Sequence, residues 1–285
     1  MYNKLVFMSN KSKVSVVVTT KNEEKNIKNC LKSIISQTYK NTEVIVVDNN
    51  STDNTKKIAK KYTDLVFNKG PERSAQRNFG AKKAKGKYFL FLDADMILEQ
   101  KVIEECVKEV QSSKFKVQSS GVRGVIIPEK SIGKNFWGKV KAFERSFYIG
   151  DDSIEAARFF TREAFYQCDG YNEGITGPED WDISQKVREK YKIGRIKHLI
   201  IHNEADSLFI DFIKKKYYYG KGSSLYIKNY PFRLTGKQSI YLFRSNFYKE
   251  WRRFIKKPDL ACGIIVLLVF EQLAGVLGFL RSKLD

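Results

Sequence analysis

Asp93 and Asp95 stand two residues apart at the end of the hydrophobic run KYFLFL. On an extended strand such a spacing points both carboxylates to the same side. Paired carboxylates there suit a hard divalent cation, which takes one or two carboxylates and completes its shell with substrate phosphates. Arg73 and Arg77 are one helical turn apart and share a face. A guanidinium fork is matched to phosphate oxygens. A second acidic pair, Glu179-Asp180, follows the turn Gly177-Pro178 at the start of a predicted helix. A carboxylate in that position either serves as a general base or is a helix N-terminal charge held by the macrodipole. The only histidines are His198 and His202.

These side chains need a scaffold, and the pattern around them predicts one. Val14–Thr20 is a continuous β-branched run, as in a strand buried on both faces. Glu23–Gln37 has helical spacing, and Glu43–Asp48 is a second buried strand. Asp53 is placed to cap the next helix, and Leu65–Phe67 reads as a short third strand. Arg73–Lys85 reads as a helix closed by Gly86, and Lys87–Leu92 as the fourth strand. Strand and helix alternating in this way predict an α/β fold, a mostly parallel sheet flanked by helices. Ligands of such sheets bind at the carboxyl ends of the strands, where Asp48, Asp93 and Asp95 fall. Further on, Val122–Ile127 and Glu155–Thr161 are candidate strands, and Asn135–Ile149 and Glu179–Tyr191 candidate helices.

Composition changes near residue 205. The chain carries 52 Lys/Arg against 32 Asp/Glu, a net charge of +20. Half of that excess lies in residues 206–257, which also hold 14 of the aromatic side chains. Such a charge expects anionic partners: nucleic acid, nucleotide phosphates or an anionic membrane. Leu260–Leu280 is apolar but for Glu271 and Gln272, and as a helix it is about 31 Å long, close to a hydrocarbon core. Trp251, Arg252 and Arg253 give it an interfacial flank. Glu271 leaves open whether the helix spans a bilayer, lies at its surface or buries that face against protein. The predicted organisation is a catalytic unit over 1–205, a basic-aromatic interfacial helical segment over 206–257, and an apolar membrane helix over 258–285. The four cysteines form no CxxC pair, which suits a reducing compartment. The N-terminal residues lack the apolar core of a signal peptide.

The segments VSVVVTTKNEE, EVIVVDNNSTDNT, ERSAQRNFGAKKAKGKYFLFLDADM and GPEDWDIS occur in this order. Together they resemble the family 2 glycosyltransferases, the inverting group with the GT-A fold, over roughly residues 14–203. The resemblance implies a sugar transferred from a nucleotide-diphosphate sugar, UDP- or GDP-linked. It implies a nucleotide site at Thr19, Lys21, Glu23 and Asp48, with Arg73 and Arg77 toward the diphosphate. It assigns Asp95 and Asp93 to a Mn or Mg ion, with Asp93 also near the ribose, and His202 as a further metal ligand. It aligns Asp180 with the catalytic base, with Glu179 as the alternative. The chain departs from the family pattern at Thr19 and Lys21, which replace a Pro and an aromatic Tyr, and at Asn49, which replaces an Asp. The basic-aromatic segment and apolar tail imply a lipid or lipid-linked acceptor, an anionic membrane, and a cytoplasmic catalytic unit on the cell membrane. In this reading Lys214–Lys216, Tyr217–Tyr219 and Trp251 lie at the interface. No nucleic acid is expected as a partner. The rival readings are a basic-aromatic nucleic-acid-binding protein and a nucleotidyltransferase on a related sheet.

Overall fold

The computed structural model describes residues 12–112, 121–204 and 207–284. The N-terminal residues 1–11 and the composition boundary at 205 and 206 lie outside the described residues. The chain runs β1 (Val14–Thr20), α1 (Ile27–Ile35), β2 (Thr42–Asp48), α2 (Thr55–Ala59), β3 (Val66–Asn68), α3 (Arg73–Lys83), β4 (Tyr88–Asp93) and β5 (Met96–Leu98). It continues through α4 (Val102–Ser112), β6 (Val122–Ile126), β7 (Glu129–Ile132), α5 (Phe136–Arg145), β8 (Ala157–Thr161), α6 (Arg162–Gln167), α7 (Glu179–Lys190), β9 (Lys192–Arg195) and β10 (Ile200–Asn203). Six helices follow: α8 (Phe209–Gly222), α9 (Ser224–Asn229), α10 (Phe232–Ser239), α11 (Ser245–Lys249), α12 (Arg252–Lys256) and α13 (Pro258–Arg281).

The main sheet has the strand order β3-β2-β1-β4-β8-β6-β9. Its first four strands are parallel, and β8 is antiparallel to both neighbours. The expected mostly parallel α/β sheet is therefore present. Val16 and Val18 of β1 enter one core with Ile27 and Leu31 of α1, while Val17 enters the opposite core with Ala81, Phe89 and Phe160. Two covered faces explain why β1 has no polar side. In register, Thr19 pairs with Val47 and Asp93, and Thr20 pairs with Asp48. Three parallel strands thus end at one level, and their last side chains meet there.

A smaller sheet, β5-β10-β7, crosses this edge. Its strands are three or four residues long, and no sequence pattern marks them. His202 of β10 lies opposite Met96, so β5 brings Asp95 beside it. Two local expectations are corrected. Asn54, not Asp53, is the N-cap residue of α2, although Asp53 Oδ1 accepts from the Thr55 N–H at 3.0 Å. Helix α3 ends at Lys83 with Ala84 as C-cap, so Gly86 is not its C′ residue. Gly86 instead sits against β1, donating to Ser15 Oγ at 2.8 Å, where a Cβ would lie 2.7 Å from the Ser15 backbone nitrogen.

Helix α13 is packed against the rest of the chain. Ile264 and Leu267 join Val140, Phe143, Phe147 and Phe212 in a third core. Helices α8 and α13 meet backbone to backbone: a Cβ on Gly278 would lie 2.1 Å from the carbonyl oxygen of Tyr217. Glu271 does not face solvent or lipid. It is buried, accepting from Lys141 Nζ at 2.9 Å and from the Tyr241 hydroxyl at 2.6 Å. Lys141 also pairs with Glu144 at 3.0 Å. This answers the question posed by the acidic residue in an apolar run: that face is turned to protein. The opposite face, Ile265, Val269, Leu273 and Leu277, is an exposed stripe at four-residue spacing. Removing one member of a buried ion cluster leaves the others uncompensated, which costs about 3–5 kcal/mol. Lys141→Met is therefore expected to lower stability by that amount in chemical unfolding of the full chain in detergent. A midpoint equal to that of the wild type would show that the cluster carries no such weight.

Candidate active site

The carboxyl edge of β1 and β4, the start of α3, the loop before α7 and helix α8 enclose a cavity of about 470 Å³. Thr19, Lys21, Glu23, Arg73, Asp93, Asp95, Asp180 and His202 line it, as does Asn49. Three anticipated site residues are absent from its wall. Asp48 is fully buried, and both its oxygens are taken by the backbone N–H and hydroxyl of Ser51, so it shapes the loop after β2. Glu179 and Arg77 lie behind the wall, buried.

Arg77 organises the site from there. Its guanidinium reaches Asp180 Oδ1 at 2.8 Å and Asp93 Oδ1 at 3.0 Å, with Glu179 at 3.5 Å. Its planar face lies 4.9 Å from the centre of the Tyr171 ring. The expected contact of Arg77 with a diphosphate is thus replaced by contacts with both acidic pairs. Arg73, one turn earlier, bonds Glu179 at 2.8 Å and faces the cavity beneath Tyr219. Burial alone would raise the Asp93 carboxyl. Arg77, Arg73 and Arg158 outweigh it and hold Asp93 well below the usual carboxylate range. Thr19 adds a hydrogen bond to the same oxygen at 2.8 Å.

Asp95 and His202 form the second centre. His202 Nε2 lies 3.0 Å from Asp95 Oδ2, and its Nδ1 lies 2.9 Å from Arg145. Burial opposes charge on both, yet each stabilises the other's charged form: Asp95 is lowered and His202 raised. Asp95 Oδ1 is buried without a hydrogen-bond partner. Among the described residues no three His, Cys, Asp or Glu side chains converge as a self-sufficient metal cage. A carboxylate with a free oxygen beside an imidazole fits a cation that draws its remaining ligands from phosphates and water.

Sequence reasoning missed Glu129, Arg145 and Arg158, which come from β7, α5 and β8 to line the cavity. It also placed α8 elsewhere. Lys215, Tyr218 and Tyr219, expected on a membrane surface, form a wall of the cavity. The Tyr218 hydroxyl donates to Glu72. Gly177 permits this approach: it has φ +101°, and a Cβ there would lie 2.8 Å from Tyr219 Cβ. Beyond Asp180 lies a second cavity of about 240 Å³, which shares Glu129, Arg145, Arg158, Gly177 and Asp180 with the first. Trp181 lines it and donates to the Ile154 carbonyl at 2.7 Å.

Strand ends bearing carboxylates, a wall rich in arginine and two adjoining cavities define an α/β domain with its candidate site at the carboxyl edge of the sheet. Residues 15–166 match Glycosyl transferase family 2, and the chain belongs to that family. It is 36% identical over 104 residues to glycosyltransferase GlyA of Streptococcus pneumoniae, 34% of this chain and 15% of that protein. It is 27% identical over 216 residues to the hyaluronan synthase of Pasteurella multocida, 71% of this chain and 22% of the synthase. The chain thus spans less than a quarter of the length of either relative. The fold is similar to the mannosyltransferase PcManGT of Pyrobaculum calidifontis, solved with GDP-Man and Mn2+. There the TM-score is 0.62 at 18% identity, covering 96% of this chain and 88% of that one.

Glu23 provides a pH test. Burial, helped by the nearby Asp95 and Asp93, pushes its carboxyl up to about 7 from the ordinary 4.5. The folded chain then keeps a proton that the unfolded chain releases, so this group's contribution to stability falls as pH rises from 4.5 toward 7. Glu23→Gln removes that loss. Thermal unfolding in chelator is expected to show the variant gaining on the wild type across this window. Parallel profiles would show that Glu23 titrates normally.

Proposed function

We propose that this protein is an inverting glycosyltransferase that moves a sugar from UDP- or GDP-sugar to a lipid or lipid-linked acceptor at the cytoplasmic face of the cell membrane. The observation that carries the reading is the position of Asp180, on the wall shared by the two cavities. The donor occupies the larger cavity, with its diphosphate toward Arg73, Lys21 and Lys215 and its nucleoside near Thr19, Glu23 and Asn49. The acceptor enters the smaller one. The acceptor oxygen forms a bond to the anomeric carbon on the face opposite the diphosphate. The bond from that carbon to the diphosphate oxygen breaks, and the nucleoside diphosphate leaves with the electron pair. Asp180 takes the acceptor proton. Arg77 and Arg158 fix the direction of its carboxylate, at 2.8 Å and 3.6 Å.

Asp95 and His202 would hold a Mn or Mg ion, with Asp93 oriented by Thr19 and Arg77 at its side. Such an ion supplies positive charge for the leaving diphosphate. The exposed stripe of α13 and the exposed Trp251 support membrane contact.

Asp180→Asn is expected to lower turnover by about 10²–10⁴-fold while leaving nucleotide binding within a small factor of wild type. Asp95→Asn is expected to remove the dependence of UDP or GDP affinity on Mn2+. Both are read by calorimetry with each nucleotide and by assay of nucleoside diphosphate release from each sugar donor. Equal loss of binding and turnover in Asp180→Asn would remove its role as base. Pyrophosphate among the products would point to nucleotidyl transfer.

A further inference from the structure

The second cavity is lined by charges of both signs, among them Glu129, Glu144, Glu155 and Asp180, and two of its cations keep donors that the described residues do not use. Lys216 of α8 points into it and has no ion-pair partner among the described residues. Burial, joined by the neighbouring charges of Lys141 and Arg244, pulls its ammonium down to about 8 against the attraction of Glu271. Arg244 is buried and lines the same cavity; it pairs with Glu144 at 3.6 Å and donates to the Gln238 carbonyl, yet keeps a buried Nε without a hydrogen-bond partner. Both cations stack on one ring: Lys216 lies 5.2 Å and Arg244 4.4 Å from the centre of Tyr241.

Tyr241 is also a wall of an apolar groove. The groove has a volume of about 680 Å³ and runs between α11, α12 and α13. Phe247, Trp251, Ile255, Ile265 and Val269 line it, and its one amide side chain, Gln272, accepts from the Tyr241 N–H at 3.3 Å. A single side chain thus separates a charged chamber next to Asp180 from a long apolar trough open on the surface.

We propose that the chamber and the groove together form one binding site for a phosphorylated lipid, its phosphate at Lys216 and Arg244 and its chain in the groove. That this lipid carries the acceptor hydroxyl whose proton Asp180 takes rests on the glycosyl-transfer reading; its binding does not. A neutral glycan head would accept hydrogen bonds from these groups but leave the Lys216 charge without a counter-ion in a half-buried chamber, a cost that an anionic oxygen removes. An apolar face alone would serve a bilayer or a second copy of the chain. Neither occupant accounts for a groove that ends against an ammonium without an ion-pair partner among the described residues and a guanidinium with a free Nε.

The test is native mass spectrometry of the full chain released from phosphatidylcholine nanodiscs loaded with farnesyl phosphate, farnesol or inorganic phosphate. One farnesyl phosphate per chain is expected to be retained, with farnesol and inorganic phosphate retained at least tenfold less. Lys216→Met is expected to weaken retention about tenfold, the loss of a hydrogen bond to a charged group, and Lys216→Arg to restore most of it. Ile265→Gln and Val269→Gln, both on an exposed part of the groove, are expected to weaken it as well. Equal retention of farnesol and farnesyl phosphate, indifference to Lys216→Met, or no retention would overturn the proposal. So would a dimer that the groove variants dissolve, since a second copy would then be the occupant. UDP and GDP added in the same experiment report on the donor cavity separately. If neither is retained while farnesyl phosphate is, the glycosyl-transfer reading fails and the lipid site stands.

Discussion

The buried guanidinium of Arg77 is the interaction on which the site depends. It is the one charged group that touches Asp93, at the end of β4, and Asp180, at the start of α7. Those two carboxylates come from opposite sides of the cavity and would repel each other in a buried setting without it. Arg73, Arg77 and Arg158 lie among Asp93, Glu179 and Asp180, and the three guanidinium groups hold Asp93 well below the usual carboxylate range although burial alone would raise it. Lysine would not substitute. An ammonium cannot offer two separate edges to two carboxylates while its flat face rests on Tyr171.

The first half of the fold was legible because its strands are buried on both faces and therefore unmixed in character. β1, β2 and β4 fall where their β-branched and aromatic runs stand, and the carboxylates at their ends follow from that. The smaller sheet was not legible. Its strands, MIL, EKSI and IIHN, are too short to show a period, and their pairing is set by distant contacts. For that reason His202 could be suspected from the resemblance, but its partner Asp95 only acquires it through the β5–β10 pairing.

Arg77, Tyr218 and Tyr219 have surroundings that the sequence does not suggest, for an instructive reason. Arg77 looks like a phosphate ligand on a helical wheel, since nothing in the sequence says that Glu179 and Asp180 return to it from a hundred residues away. Tyr218 and Tyr219 look interfacial because the segment around them is basic and aromatic. That composition serves several ends at once here. Some of it lines the cavity, some stacks around Tyr241, and some stays on the outer surface, as Trp251 does.

Helix α8 has the cavity on one side and α13 on the other, with the two backbones in contact at Gly278. The part of the chain with the exposed apolar stripe is therefore also the outer buttress of the larger candidate-site cavity. Cutting it away to obtain a more soluble enzyme would not yield the same catalyst floating free. The truncated chain would expose Phe212 and Val140, leave Lys141 with Glu144 alone and leave Tyr241 without its carboxylate. The support beneath Tyr218 and Tyr219 would go with it. In this architecture anchorage and catalysis share a beam, so solubilisation has to proceed by dressing the outer stripe of α13, not by deleting the helix.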